Sequence, residues 1–296
     1  MTKKVYKKMK IIILGGTGLL GHTLWEYLSL KNSDTYTTVR LSRSNYENYK
    51  SNKVIDNVDI TDIENVEKIL NKIKPDIILN CIGVTKRREN IDNYQYLSIL
   101  LNALFPIRLS QWAKKNNSKV INFSTDCVFD GKIGNYSEDS PTNATDVYGK
   151  TKSLGEIRDD NALTLRSSFI GFELYHKTEL LEWFLSQKVT VKGFKNAIYS
   201  GLTTLELSRV VENILLSYPK MTGLYNISSE SINKYDLLML IRKKFKLVTK
   251  IIPDETFSCD RSLNSSKFRK ELNYNPPSWE SMIAELSEKY LQKKDV

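Results

Sequence analysis

The sequence predicts an α/β fold in which a doubly wound parallel sheet precedes a smaller, mainly helical C-terminal region. Through about residue 170, apolar runs of strand length alternate with segments of helical periodicity. The links between them are short, which favours right-handed crossovers and a parallel sheet. The segment 76–83, DIILNCIG, is nearly continuously apolar, as in strands that are buried on both faces.

The individual elements follow from the same patterns. Residues 10–14, KIIIL, predict a first strand, which the glycine turn GGTGLLG connects to a helix. The other strands are predicted at 35–42, 53–60, 76–83, 119–125 and 162–168, and the other helices of this part at 63–73, at about 94–115 and from about Tyr148. Beyond residue 169 the alternation is less regular, and helices are predicted at 178–187, 204–217, 234–245 and 279–292.

The chain of 296 residues has a formal net charge of +10. Residues 1–10 contain five lysines and no acid, so half of this charge lies in an N-terminal tail. The remainder is spread along the chain, without the clustered basic stripe of nucleic-acid-binding proteins. We therefore expect small anionic ligands and no nucleic-acid partner.

The sequence also predicts the compartment in which the protein works. No apolar run approaches the roughly 20 residues that span a bilayer, and the N-terminus MTKKVYKKMK lacks the apolar stretch of a secretory signal. The three cysteines, Cys81, Cys127 and Cys259, are far apart and form no Cys-x-x-Cys pair. We expect a cytoplasmic protein with free thiols, no metal site and no membrane partner.

The glycine turn has the spacing Gly15-x-x-Gly18-x-x-Gly21. Glycines here let the backbone approach a pyrophosphate, whose charge is stabilised by the N–H groups at the helix N-terminus. A tight turn without a ligand is the alternative, but the strand–turn–helix context favours a dinucleotide cofactor and a Rossmann-type sheet. Asp59 and Ile60, at the end of the third predicted strand, are placed to border the adenine.

The end of the second predicted strand distinguishes the two nicotinamide cofactors. An NAD-selective fold usually has an acid there, which binds the ribose hydroxyls. This strand ends in RLSR (40–43), and the next acid is Glu47. Arg43, helped by Ser42, is suited to neutralise the 2′-phosphate of NADPH. We predict NADPH, with NADH as the alternative cofactor; the competing interpretation is that Arg40 and Arg43 are ordinary surface charges.

A third pattern concerns proton transfer. Tyr148 and Lys152 are four residues apart and share one face of a predicted helix. A phenol has a pKa of about 10, which a nearby ammonium lowers, so such a tyrosine can exchange a proton with a carbonyl or alcohol oxygen. Thr125, at the end of a strand, would hold that oxygen. A Tyr-x-x-x-Lys spacing alone is weak, but it is specific in combination with the glycine turn.

Several segments together resemble a known family. They are ILGGTGLLGHTL, PDIILNCIG, FSTDCVFDG, DVYGKTKSLGE and LRSSFIG, which cover about residues 10–170. The chain resembles the extended short-chain dehydrogenase/reductases, and within them the dTDP-4-dehydrorhamnose reductase group. Residues 201–215 and 223–228 extend the likeness into the C-terminal part.

The resemblance implies a role for each matching position. It implies Thr125, Tyr148 and Lys152 as the catalytic set, and Asn102 as a support of the lysine through a water or a backbone contact. The positions around the cofactor are Gly15, Gly18, Leu19, Leu20, Arg43, Asp59, Ile60, Cys81, Ile82, Gly83, Asn102, Tyr148 and Lys152. The implied substrate-binding positions are Val84, Lys86, Asp126 and Phe169.

The same resemblance implies the domain organisation. A basic tail, 1–9, precedes an NAD(P)-binding Rossmann domain at 10–170 and a substrate-binding region at 171–296, of which about 200–230 return to the Rossmann domain. The basic segment 86–88 could lie near the phosphates of the substrate, although a solvated loop is the alternative. Further candidates for binding a diphosphate, which the sequence does not rank, are Tyr175, Lys192, Arg209 and Arg261.

Two segments depart from the family pattern. The family's Ser-Thr-Asp-Tyr ends here in Cys127, and residues 81–88, CIGVTKRR, replace an alanine-rich segment. Both lie where substrate is expected to meet cofactor, so the base and the sugar stay open. We interpret Cys127 as a packing residue, because no histidine lies in a motif that would activate it as a nucleophile.

The function implied is NADPH-dependent reduction of a nucleotide-linked 4-keto-6-deoxyhexose for surface-polysaccharide precursors, by an enzyme that forms a homodimer. The departure at 81–88 slightly favours a UDP-linked 2-acetamido sugar. A 4,6-dehydratase is disfavoured, because that family has a glutamate where this chain has Cys127. A 4-epimerase and a non-catalytic regulatory subunit of the methionine adenosyltransferase type remain as alternatives.

Overall fold

The computed structural model describes residues 9–46, 49–86, 90, 93–175 and 177–294. The first elements are β1 (Ile11–Leu14), α1 (Leu19–Ser29), β2 (Thr35–Thr38), β3 (Val54–Ile55), α2 (Ile63–Ile73), β4 (Ile77–Asn80), α3 (Tyr94–Ser98), α4 (Phe105–Lys115), β5 (Lys119–Ser124), α5 (Val147–Leu154) and β6 (Ala162–Arg166). They are followed by β7 (Phe169–Ile170), α6 (Leu180–Ser186), β8 (Val191–Tyr199), β9 (Leu202–Thr203), α7 (Thr204–Ser217), β10 (Gly223–Asn226), β11 (Ile232–Asn233), α8 (Lys234–Lys244), β12 (Ile251–Asp260), α9 (Ser266–Leu272) and α10 (Trp279–Lys294).

The central sheet is parallel and has the strand order β10-β6-β5-β4-β1-β2-β3. β1 pairs with β2 on one side and with β4 on the other, and all four residues of β1 and of β4 are buried. The chain thus winds outward from β1 in both directions, which confirms the predicted doubly wound, Rossmann-type fold. Among the described residues, no helix is long and apolar enough to cross a membrane.

Helix α2 shows how local chemistry sets the ends of an element. The Asp62 carboxylate accepts a hydrogen bond from the Asn65 N–H at 2.9 Å, which caps the N-terminus. At the other end Lys74 has a left-handed φ of +50° and precedes Pro75. The helix therefore spans Ile63–Ile73 as predicted, and Val66 and Leu70 contribute to the core beside the sheet.

Several predicted strands are shorter than expected, among them β4, which is Ile77–Asn80 where 76–83 was predicted, and β6, which ends at Arg166 where residue 168 was predicted. Strand β2 ends at Thr38 rather than at residue 42, and β3 contains only Val54–Ile55 of the predicted 53–60. The glycine turn is hydrogen-bonded to Thr38. The Thr38 carbonyl accepts the Gly16 N–H, and the Thr38 hydroxyl accepts the Gly15 N–H. Val39 still forms backbone hydrogen bonds with Ile55 and Val58, and the Ser42 hydroxyl then caps a short turn.

The chain packs as two compact units. The first contains the described residues up to Ser124 together with Thr145–Leu165 and Ser208–Leu224. The second contains Thr125–Ala144, Arg166–Leu207 and the described residues from Tyr225 onward. This division differs from the predicted boundary at 170, and the assignment of roles to the two parts stays a prediction.

The second unit includes a segment that follows β5 directly. Phe129 stacks on Tyr136 with ring centroids 4.0 Å apart, and both pack with Val128 and Leu263 in a small apolar cluster. Tyr136 also forms a β-bridge with Leu263. These contacts connect the segment 125–144 to the C-terminal part of the second unit.

The second unit also contains more strand than the sequence predicts. A three-stranded sheet has the order β11-β8-β12, and β7 pairs with β9 in parallel. Strand β8 buries alternate residues such as Val191, Gly193, Ala197 and Tyr199. The predicted helices are present. Strand β8 was not predicted, because the lysines and the glycine within 191–199 conceal its alternation of buried and exposed residues.

Candidate active site

The glycine turn between β1 and α1 has little room for side chains. Gly15 has a φ of +86°, and a Cβ atom there would lie 2.7 Å from the Ile82 Cδ1 atom and 3.3 Å from the Cys81 carbonyl oxygen. A Cβ atom on Gly21 would collide with the carbonyl oxygen of Gly15. The turn therefore requires glycine, and it lies against the carboxyl end of β4.

The N-terminus of α1 is open towards an anion. Gly18 is the N-cap residue and is exposed, no side chain of the described residues caps this end, and the first turn contains no acid. The first N–H groups of a helix have no partner within the helix. The donor set thus fits a dinucleotide pyrophosphate, which the N–H groups of Leu19 and Leu20 would hold. Because the Leu20 side chain is 4% exposed, the prediction for this residue concerns its backbone N–H.

Two arginines follow β2, and their surroundings in the structure differ. Arg43 donates from Nη2 to Asp56 Oδ1 at 3.2 Å and from Nη1 to the Ser51 carbonyl at 3.2 Å. Its backbone N–H also donates to Asp56, and these bonds hold the pKa of the Asp56 carboxyl below its usual range. Arg40 is exposed and makes no hydrogen bond or ion pair with any residue that the structure describes, and its charge contributes to lowering the pKa of Asp59.

Asp59 makes local contacts beyond β3. Its carboxylate accepts hydrogen bonds from the hydroxyl and the N–H of Thr61 at 2.7 and 2.9 Å, which lower its pKa. Ile60 beside it is half-buried. Both residues lie at the carboxyl end of β3, and their contact with an adenine stays a prediction.

Lys152 is buried at the carboxyl end of β5. Its Nζ atom donates to the Phe123 carbonyl at 2.6 Å, and the residue is 8% exposed. Burial lowers the pKa of the ammonium to about 8, while the charge of Glu156 opposes that change. Tyr148, one turn earlier in α5, is half-buried. The helix is capped by Asp146, whose carboxylate accepts the Gly149 N–H at 2.9 Å.

The segment after β4 meets both the glycine turn and the lysine. Cys81 and Ile82 adjoin Gly15, and the Cys81 thiol interacts electrostatically with Lys152. Burial raises the pKa of this thiol, so it is neutral. Within the first unit, the structure thus brings together the predicted cofactor positions of β1, β4 and α5.

Asn102 connects the same segment to α5. Its side chain accepts the Val84 N–H at 2.9 Å and donates to the Val84 carbonyl at 3.0 Å and to the Thr151 hydroxyl at 3.2 Å. It lies in Ile99–Leu104, a widened π-helical stretch between α3 and α4. The resemblance implied that Asn102 supports Lys152 through a water or a backbone contact, and this stays a prediction. The direct bonds of Asn102 reach Thr151, the residue before Lys152, and fix the backbone at Val84.

Two asparagines that sequence reasoning missed join the strand ends. Asn80 donates to Asn122 Oδ1 at 2.8 Å, and Asn122 donates to the Gly155 carbonyl at 3.0 Å. Both are 2% exposed. This buried chain links β4, β5 and the end of α5. The only signal in the sequence is an asparagine near the end of each apolar strand.

Thr125, Asp126 and Cys127 belong to the second unit. The Thr125 hydroxyl donates to Asp126 Oδ1 at 3.2 Å and accepts the Cys127 N–H at 3.1 Å. Burial, together with the charge of Asp126, raises the pKa of Cys127 to about 12. A neutral thiol is a poor nucleophile, which agrees with its interpretation as a packing residue.

The candidate phosphate-binding side chains have different surroundings. Lys86 pairs with Asp146 at 3.3 Å in the first unit, whereas residues 87 and 88 lie outside the described part of the chain. In the second unit Lys192 pairs with Asp254 at 2.9 Å, and Arg261 donates to the Phe129 carbonyl at 2.9 Å. Phe169, which begins β7, and Tyr175 are partly exposed, and Arg209 lies in α7.

Tyr199 is another residue that the sequence did not single out. It is 8% exposed, and its hydroxyl has no hydrogen-bond partner among the described residues. Burial and the nearby Asp126, Cys127 and Glu179 raise its pKa well above the usual value. The phenol therefore stays protonated.

A glycine turn on β1 together with a Tyr-x-x-x-Lys helix beside β5 defines an NAD(P)-dependent oxidoreductase of the short-chain dehydrogenase/reductase type. A family model described as the RmlD substrate binding domain matches residues 9–292. The chain belongs to this family, as the sequence motifs predict.

Individual relatives agree with this assignment. The dTDP-4-dehydrorhamnose reductase of Salmonella typhimurium is 25% identical over 236 residues, which cover 71% of this chain and 78% of that protein. The spore coat polysaccharide biosynthesis protein SpsK of Bacillus subtilis is 24% identical over 235 residues, 75% of this chain and 80% of that protein. A crystal structure of dTDP-4-dehydrorhamnose reductase from Bacillus anthracis in complex with NADP superposes with a TM-score of 0.78 at 20% identity, over 95% of this chain and 99% of that one. This last likeness supports the fold.

Proposed function

We propose that the protein reduces the C4 ketone of a nucleotide-linked 4-keto-6-deoxyhexose in the synthesis of a surface-polysaccharide precursor. The observation that carries the proposal is the buried Lys152 ammonium, which is fixed to the Phe123 carbonyl one helical turn from Tyr148. The names of the family and of the relatives support the substrate class.

Each residue of the proposed set has a distinct task. NADPH, when bound, supplies the hydride that adds to the ketone carbon. Tyr148 gives its proton to the ketone oxygen, so that an alcohol forms, and takes a proton back from solvent. The Lys152 ammonium favours the phenolate that remains on Tyr148. Thr125, which follows β5 in the chain, is proposed from the sequence to hold the substrate oxygen.

The proposed cofactor preference rests on charge at the end of β2. The tetrapeptide at 40–43 has two arginines and no acid. Since Arg43 is already paired with Asp56, we assign the 2′-phosphate of NADPH first to Arg40. NADH remains the alternative cofactor.

The direct test follows NADPH absorbance with a panel of dTDP- and UDP-linked 4-keto-6-deoxy sugars, including 2-acetamido forms. Oxidation of NADPH with one of them supports the proposal, and oxidation with none contradicts it. Tyr148→Phe is the matched control, because it removes only the phenolic oxygen. It should abolish turnover and leave NADPH binding intact.

The sugar-nucleotide panel and the Tyr148→Phe variant also distinguish the reductase from a 4-epimerase and from a regulatory subunit. A 4-epimerase would convert its sugar nucleotide without net consumption of NADPH. A regulatory subunit would keep its biological activity in Tyr148→Phe. The segment 81–88 leads us to propose a UDP-linked 2-acetamido sugar first, and the panel ranks it against the dTDP-linked sugars.

Location in the cytoplasm and formation of a homodimer stay predictions.

Apolar side chains are exposed along the helical run from α3 to α4, at Tyr96, Ile99, Leu104 and Ile107. We propose this surface for self-association. Light scattering should show a dimer, and Leu104→Glu should shift it towards monomer.

A further inference from the structure

Two consecutive residues at the end of β5 hold groups of opposite charge. The Phe123 carbonyl accepts a hydrogen bond from Lys152 Nζ at 2.6 Å. The next residue, Ser124, donates its hydroxyl to Glu156 Oε1 at 2.7 Å. Glu156 follows Lys152 by four residues and lies just beyond the C-terminus of α5. Two adjacent residues of one strand end therefore hold the ammonium and a carboxylate that follows it by four residues in the chain.

The other surroundings of Lys152 leave Glu156 as its negative partner. Burial opposes the charged lysine, and the groups that act on it electrostatically are Glu156 and the Cys81 thiol after β4. Burial keeps that thiol protonated and neutral. Tyr148, on the same helix, is neutral when it serves as a proton donor. Glu156 is the only carboxylate among these groups.

We propose that Glu156, held by Ser124, is a positioning residue whose carboxylate keeps the buried Lys152 ammonium charged. A buried cation without a counter-charge loses its proton more readily, because a low-dielectric site destabilises the charged form. The importance of this carboxylate for turnover rests on the proposed reduction, whereas its effect on the charge of Lys152 does not.

The inference is tested by titrating Lys152 directly. In protein labelled with ¹³C-lysine, the Cε signal of Lys152 is assigned by its loss in Lys152→Met and followed against pH by NMR. The wild-type midpoint is expected near a pKa of about 8. In Glu156→Gln, which keeps an acceptor for Ser124 but removes the charge, the midpoint should fall by about one pH unit or more.

A matched control removes a different carboxylate of the same unit. Glu67 pairs with Arg108 at 2.7 Å on α2 and α4, and Glu67→Gln should leave the Lys152 midpoint unchanged. An unchanged midpoint in a folded Glu156→Gln protein overturns the inference. If that variant does not fold, Ser124→Ala decides, because it removes the hydrogen bond between residue 124 and Glu156 and keeps the carboxylate. A lower midpoint is expected, and an unchanged one overturns the proposal.

The pH profile of turnover gives a second readout. Lys152 loses its charge as the pH rises through its pKa, so kcat/KM for ketone reduction should decline on the alkaline side. In Glu156→Gln this decline should begin at a pH lower by the same amount as the NMR midpoint. Absence of turnover with every sugar nucleotide would contradict the proposed function, and the NMR titration would still decide the role of Glu156.

Discussion

Replacing Arg40 should weaken NADPH binding much more than replacing Arg43. Both arginines follow β2, and the sequence alone favoured Arg43. In the structure Asp56 and the Ser51 carbonyl already accept the N–H groups of Arg43. To bind a phosphate, Arg43 would have to leave a carboxylate, so the gain is offset by the loss of that pair. Arg40 is exposed and has no such bond to break among the described residues.

The magnitude follows from the hydrogen bonds at stake. A charge-assisted hydrogen bond contributes about 1.5–3 kcal/mol, so Arg40→Ala should raise the Kd of NADPH by about 10-fold to about 100-fold. NADH lacks the 2′-phosphate, and its Kd should change by less than about 3-fold, which corresponds to at most about 0.7 kcal/mol. For Arg43→Ala we expect an effect of less than about 5-fold on NADPH, because an exposed ion pair is worth about 1 kcal/mol or less.

The assay is a fluorescence titration of each variant with NADPH and with NADH at one fixed salt concentration. The ratio of the two dissociation constants isolates the phosphate from any general damage to the fold. A larger loss of NADPH selectivity in Arg43→Ala than in Arg40→Ala would refute the assignment. Equal, small effects in both variants would show that neither arginine reads the phosphate.

Three further substitutions test the site and its support. Asn102→Ala leaves the buried N–H and carbonyl of Val84 without partners, and should lower the free energy of unfolding by about 2–4 kcal/mol in denaturant titrations; a change below about 0.5 kcal/mol would contradict this role. Tyr199→Phe removes a buried hydroxyl that has no partner among the described residues, and should raise Tm by about 2–4 °C in thermal scans; a lower Tm would show that the hydroxyl is bonded. Gly21→Ala places a methyl group against the Gly15 carbonyl oxygen and should weaken NADPH binding at least about 10-fold by calorimetry; unaltered affinity would show that the turn can yield.

Local chemistry predicted much of the first unit. The glycine turn was predictable because it must combine a positive φ with close approach to the chain after β4. Helix α2 was predictable to the residue, because Asp62 caps one end and Pro75 follows the other. Tyr148 and Lys152 were predicted to share one face of a helix, because they are four residues apart in the sequence. Such features depend on neighbours within a few residues.

Long-range packing decided what the motifs left open. The sequence does not show that Asn80 binds Asn122, that Asn102 holds Val84, or that Ser124 holds Glu156, because each partner lies 18 to 42 residues away.

Apolar runs of strand length identified the strands of the sheet, and this criterion failed at β8, where exposed lysines separate the buried residues. Its pairing with β12, some 60 residues later, makes it a strand.

The two arginines after β2 show most clearly what the sequence determines and what only the tertiary structure determines. The sequence shows that two arginines follow β2. It does not show which of them is available to bind the 2′-phosphate of NADPH. Asp56 is 13 residues from Arg43, and folding brings its carboxylate to within 3.2 Å of the guanidinium. A charge pattern read from the sequence shows which cations are present, whereas their availability to a ligand depends on the counter-charges that the fold places beside them.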